Sequence, residues 1–183
     1  MCIRDRKMAD PAYLQQEMAK LPEGKREIVQ KTFPVMTDSS NKGKYGQDLV
    51  KVFEFLNAQP FVTRGKIASL GFCFGGGMSL YFACHAPLSA SVVFYGENPN
   101  PIELVKNISG PVLGLYGAED MRINSRLDEL VKAMTSYKKD FEMKIYPGAA
   151  HAFFNETRPN YREAAASDAW ERVLRLFQRT LLH

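Results

Sequence analysis

Two spacings of apolar residues divide the chain near residue 60. Before it, apolar side chains recur at helical intervals. Leu14, Met18 and Leu21 predict helix within 9–31, with a break at Pro22-Glu23-Gly24. Tyr45, Leu49, Val52, Phe53 and Leu56 fall at i, i+4, i+7, i+8 and i+11 and predict an amphipathic helix ending near Pro60. Between the two, Pro34 and the run Asp38 to Gly43 predict a loop over 32–43. After residue 65 short apolar runs take over, at Lys66–Leu70, Ser91–Tyr95, Pro111–Tyr116 and Phe141–Tyr146. Each stops at Gly71, Gly96, Gly117 or Pro147-Gly148, as buried strands do. Helical stretches separate them. Met78–Ala86 is almost wholly apolar, and Ile102–Asn107 suits a short helix. Leu127, Leu130, Val131 and Met134 form a stripe behind an Asn124 or Ser125 cap. Trp170, Val173, Leu174, Phe177 and Leu181 form another in the last helix. Strands alternating with helices predict an α/β fold, a mostly parallel sheet with helices on both faces.

Composition narrows the possible functions. The net charge of +4 comes from scattered Lys and Arg, not from a basic stripe, so no nucleic-acid partner is expected. No run approaches the roughly 18 apolar residues of a membrane span. The three cysteines, Cys2, Cys73 and Cys84, have no C-x-x-C spacing. That argues against a disulfide framework or a zinc site and suits a reducing cytoplasm. The length suits one domain, expected over 9–183 behind a leader at 1–8 that matches no structural pattern. A monomer acting on a small molecule, with no metal or organic cofactor, is the expectation.

The chemistry centres on Gly71-Phe72-Cys73-Phe74-Gly75, lying between a predicted strand and a predicted helix. This is the setting of a nucleophile elbow, with cysteine in place of serine. The turn is tight, so residues two before and two after the nucleophile are expected to be glycine for lack of space. The elbow lifts the nucleophile to a helix N-terminus. There the dipole favours a thiolate and the Phe74 N–H faces a developing oxyanion. No G-x-x-x-x-G-K-[ST] or G-x-G-x-x-G accompanies these glycines. In this architecture an acid and a histidine follow in chain order, in loops after later strands. Asp120 follows the third strand and His151 the fourth. Glu119 is an alternative acid, and Asp120 also suits a helix cap. His85 and His183 are poorly placed. Cys84 suits the core. It lies 84 − 73 = 11 residues from Cys73, roughly 16 Å along a helix and too far for a resolving thiol.

These residues resemble the dienelactone hydrolase family, the carboxymethylenebutenolidases of the α/β-hydrolase fold. The likeness rests on Gly-Phe-Cys-Phe-Gly-Gly-Gly at 71–77, Val-Phe-Tyr-Gly at 93–96 and Leu-Tyr-Gly-Ala-Glu-Asp at 115–120. It continues through Tyr-Pro-Gly-Ala-Ala-His-Ala-Phe at 146–153 and the helix from Ala164. It implies a Cys73, Asp120 and His151 triad, with Tyr95 near the site, acting on a lactone or activated ester. It also implies several strands ahead of the 44–56 helix, which residues 1–43 do not supply. The sequence is therefore expected to begin inside a longer reading frame, leaving a partial domain, with a catalytically inactive fragment of such a hydrolase as the alternative reading. The arginine that some members use for a substrate carboxylate aligns with Asn155, and Arg158 is the nearby substitute.

Overall fold

The four apolar runs are strands of one parallel sheet. In the computed structural model, which describes residues 11–37 and 41–182, they are β1 (Ala68–Phe72), β2 (Ala90–Phe94), β3 (Val112–Gly117) and β4 (Phe141–Tyr146). They pair in sequence order, β1-β2-β3-β4. The leader with Cys2, and His183, lie outside the described residues. In the register Phe72 lies opposite Phe94, Phe94 opposite Leu115, and Gly117 opposite Tyr146. The carboxyl ends of β1 and β2 are level with each other, and those of β3 and β4 are level two residues further on. Cys73, Tyr95, Asp120 and His151 all follow from this one edge, where open parallel sheets place their sites.

The described residues form two units, one up to Tyr45 and one from Gly46. The first holds α1 (Pro11–Ala19), α2 (Glu23–Thr37) and the start of α3 (Asn41–Asn57). The Arg26 guanidinium donates to the carbonyls of Met18, Ala19 and Leu21, tying down the turn that follows α1. The loop expected from residue 32 begins later, because α2 runs through Pro34 to Thr37. Proline removes one backbone donor, and here it does so only near the helix end, where the Tyr45 hydroxyl satisfies the Val35 carbonyl at 3.0 Å.

In the second unit the alternation of strand residues builds two cores. Val93, Val112 and Tyr116 face Phe53 of α3, Leu80 of α4 (Phe74–Ala83), and Leu130 and Met134. Val92, Phe94, Leu113 and Leu115 face Ala169, Val173 and Leu176 of the last helix. Helices thus cover both sheet faces. Between β2 and β3 lies a 3-10 helix, Ile102–Asn107, and β3 leads into α5 (Met121–Asn124) and α6 (Leu127–Ser136).

Three helix details depart from the sequence pattern. Asn124 and Ser125 do not cap α6, whose N-cap is Arg126. The Asn124 amide is committed to the carbonyls of Gly117 and Ala118 at 2.9 and 3.2 Å. The last helix, α7 (Glu163–Leu181), buries Ala166, Ala169, Val173 and Leu176. Trp170 and Leu174 of the expected stripe are 43% and 51% exposed, since the alanines let the backbone approach the sheet closely. Finally, α4 starts at Phe74, directly after the cysteine, rather than at Met78. The glycines that looked like loop lie within its first turns.

Candidate active site

Cys73 joins β1 to α4 with φ 56° and ψ −118°, a left-handed φ that costs a side-chain-bearing residue energy. Its neighbours fix it there. The Cys73 N–H donates to the Phe94 carbonyl at 3.0 Å, and its own carbonyl accepts from the Gly77 N–H at 3.2 Å. A Cβ on Gly71 would stand 1.9 Å from the Gly75 carbonyl oxygen, so only glycine fits before the elbow. The matching expectation for Gly75 is corrected, since a Cβ there meets nothing within 4 Å. The tight position is one residue on. At Gly76 a Cβ would lie 2.5 Å from the Phe94 carbonyl oxygen, because α4 crosses the end of β2 backbone to backbone.

The sulfur is held by the loop after β4. His151 Nε2 lies 3.0 Å from Cys73 Sγ, and His151 Nδ1 lies 2.5 Å from Asp120 Oδ2. Asp120 is buried, whereas Glu119 faces solvent, which decides between the two acids. Asp120 is both a cap and a partner, because it also forms the N-cap of α5. The acid and histidine loops are joined directly: the Glu119 N–H donates to the Ala149 carbonyl at 2.9 Å. Asn124 braces the acid loop from below, and the Asn160 amide donates to the His151 carbonyl at 3.2 Å. Sequence spacing gave no sign of the Asn160 contact and pointed to a helix cap for Asn124.

This arrangement separates charge. The hydrogen bond with His151 lowers the Cys73 pKa, against the opposing effect of burial, and the Phe74 amide and Arg122 charge add to the lowering. For His151, burial opposes the charged form, but the bonds to Asp120 and Cys73 outweigh it and raise the pKa to about 9. Both shifts run in the direction of a thiolate beside an imidazolium. The expected oxyanion donor, the Phe74 N–H, lies at the head of α4 beside the sulfur.

Tyr95 has a buried ring centred 5.0 Å from the His151 ring. Its φ of 39° turns the chain out of the ladder after Phe94. Burial, then the nearby Cys73 charge, raise its pKa, so the phenol stays neutral. It also borders a cavity of about 700 Å³ lined by Phe72, Phe154, Asn155, Tyr161 and Trp170 among others. Arg158 is exposed and is not part of that lining, whereas Asn155 is. His85 is exposed at the other end of α4, against the Tyr81 carbonyl. Among the described residues no group of three His, Cys, Asp or Glu converges to hold a metal ion. No helix among them is long and apolar enough to cross a membrane.

A parallel sheet with helices on both faces, and a sharp strand-to-helix elbow at its carboxyl edge, define an α/β-hydrolase-type fold. Within that class the match is specific. The family model for the dienelactone hydrolase family covers residues 11–181, so the chain belongs to that family. A protein of Saccharolobus solfataricus named "Putative carboxymethylenebutenolidase" is 41% identical over 97% of this chain and 67% of its own length. Solved structures are similar too. The "Putative Dienelactone Hydrolase" of Klebsiella pneumoniae has a TM-score of 0.69 at 30% identity, over 75% of this chain and 62% of that one. A dienelactone hydrolase-like promiscuous phosphotriesterase from metagenomic libraries has a TM-score of 0.68 at 26% identity, over 84% and 66%. The chain therefore spans two thirds or less of the length of several of its relatives, and 46% of the Salmonella typhimurium protein.

Proposed function

We propose that the site hydrolyses lactones or activated carboxylic esters through Cys73. The observation that carries the reading is one imidazole spanning the sulfur and the buried carboxylate, at 3.0 Å and 2.5 Å. The Cys73 thiolate adds to the acyl carbonyl, and the Phe74 N–H donates to the oxyanion that forms. Collapse expels an alkoxide or enolate, which takes the proton from His151 Nε2, leaving a thioester on Cys73. His151 then accepts a proton from water, the hydroxide adds to the thioester carbonyl, and the thiolate departs with release of the acid. Asp120 holds the Nδ1–H tautomer and stabilises the imidazolium throughout. A thiolate favours substrates with good leaving groups, so aryl esters and enol lactones come before amides.

The test is mass spectrometry of the enzyme quenched during turnover of 4-nitrophenyl acetate. An added acetyl group on the peptide containing Cys73 supports the reading, and acetylation elsewhere with Cys73 free rejects it. A second reading rests on the length comparison above and on the single donor, Phe74, assigned to the oxyanion. A missing donor costs about 10²–10³ in rate. In that reading acylation and deacylation are both slowed by about that factor, and the chain carries the triad but is catalytically inactive in practice.

A further inference from the structure

Beside the triad, on the face covered by α7, lies the cavity bordered by Tyr95. Its walls are unusual for a surface recess. Phe72, Phe154, Tyr161 and Trp170 bring rings to it from β1, the loop after His151 and α7. Phe72 and Trp170 leave 38% and 43% of their surface open. The rings are mutually ordered: Phe72 lies 5.3 Å from Phe154, and Phe154 lies 6.1 Å from Trp170, centre to centre. Phe72 also stacks on Phe94 at 4.6 Å, which fixes one wall to the core of the sheet. Offset and tilted ring arrangements of this kind accept another ring. The polar remainder is Asn155, Thr157 and Ser167, and the one charged lining residue is Glu156. A carboxylate entering here meets like charge and no basic partner in the lining.

Building on the hydrolase reading above, we propose that this cavity is the specificity pocket and that it takes an aromatic ring without negative charge. Phe72 directly precedes the nucleophile and the Tyr95 ring lies against the His151 ring, so the cavity borders the triad without containing it, and an ester group attached to a ring held here would extend toward Cys73. Glu156 acts by exclusion: at contact distance in water like charges alone disfavour an anion about fivefold. The substrates selected are neutral aryl or arylacyl esters, not lactones carrying a carboxylate.

Trp170 is the only tryptophan in the chain, so it reports on the pocket without any need for activity. The experiment titrates the protein with benzamide and with benzoate while following tryptophan emission. Hydrolysis of phenyl acetate and of 4-carboxyphenyl acetate is measured in parallel. Benzamide is expected to change the emission saturably and to raise the KM for phenyl acetate. Benzoate should bind at least about fivefold more weakly, and Glu156→Gln should narrow the gap. Trp170→Ala should raise the KM for phenyl acetate about tenfold and leave kcat within about threefold, with Trp170→Phe recovering most of the loss. The proposal is overturned if benzamide gives no saturable change. It is equally overturned if benzoate binds as well as benzamide, whether or not Arg158→Ala then removes that binding. Loss of the Cys73 mechanism alone leaves the titration unchanged, so the two ideas fail separately.

Discussion

The two ends of helix α4 each hold a cysteine, and the sequence gives them similar apolar surroundings. At the N-terminal end Cys73 is exposed, strained and bonded to an imidazole. At the C-terminal end Cys84 is buried, and its thiol donates to the Leu80 carbonyl at 3.2 Å. Their pKa values move apart. His151 chiefly lowers Cys73, while burial pushes Cys84 up to about 12. The helix dipole adds in the same sense at both ends, favouring negative charge at the first and disfavouring it at the second. Thiol acidity here follows place in the fold, and the comparison isolates it within one helix.

The sharpest way to break this contrast is to remove each thiol in turn. Cys73→Ala should lower kcat/KM for 4-nitrophenyl acetate by about 10³-fold or more, and residual hydrolysis near the wild-type rate would refute the assignment. Next in size is His151→Gln. It should cost a factor in the upper part of about 10²–10⁴ and move the pH midpoint of Cys73 alkylation upward, toward the unperturbed value near 8.5. The direction follows because the variant removes both the hydrogen bond and the positive charge that hold the thiolate. Asp120→Asn keeps the size but loses the charge, and should fall in the lower part of that same range, read from kcat with fluorinated or nitrated aryl esters. It should also lower the upper pH limit of activity, since Asp120 helps to raise the His151 pKa toward 9. The smallest effect belongs to the far end of the helix. Cys84→Ala should leave kcat/KM unchanged and lower unfolding stability by about 1 kcal/mol, read from the urea midpoint.

Much of this contrast was legible before any coordinates. The elbow, the acid and the histidine each follow a short apolar strand, and the parallel pairing puts those strand ends at one edge of the sheet. Local pattern therefore predicted the meeting point of residues 78 positions apart, counted from 73 to 151. Cys84 as core was equally readable from its all-apolar stretch. Other features depended on distant parts of the chain. Gly75 looked sterically required because the motif contains it, but the crowding falls on Gly76, where the helix meets Phe94 and Gly96. Asn124 resembled a helix cap, and only the fold shows its amide turned back to the loop that carries Asp120. Pro34 reads as a helix breaker in any local scheme, yet α2 absorbs it near its end. The aromatic cavity was the largest omission. Its rings come from residues 72, 95, 154, 161 and 170, and Trp170 looked like one more member of a buried stripe. The available signal was the paired Phe153-Phe154 after the histidine, of which Phe153 is fully buried and Phe154 lines the cavity.

The most direct measurement is a site-resolved pH profile of alkylation, with iodoacetamide labelling of Cys73 and Cys84 quantified by peptide mass spectrometry. Cys73 should reach its full rate at a lower pH than an ordinary thiol does, while Cys84 stays unlabelled until the protein unfolds. Equal profiles rising together near pH 8.5, or faster labelling of Cys84, would contradict the account.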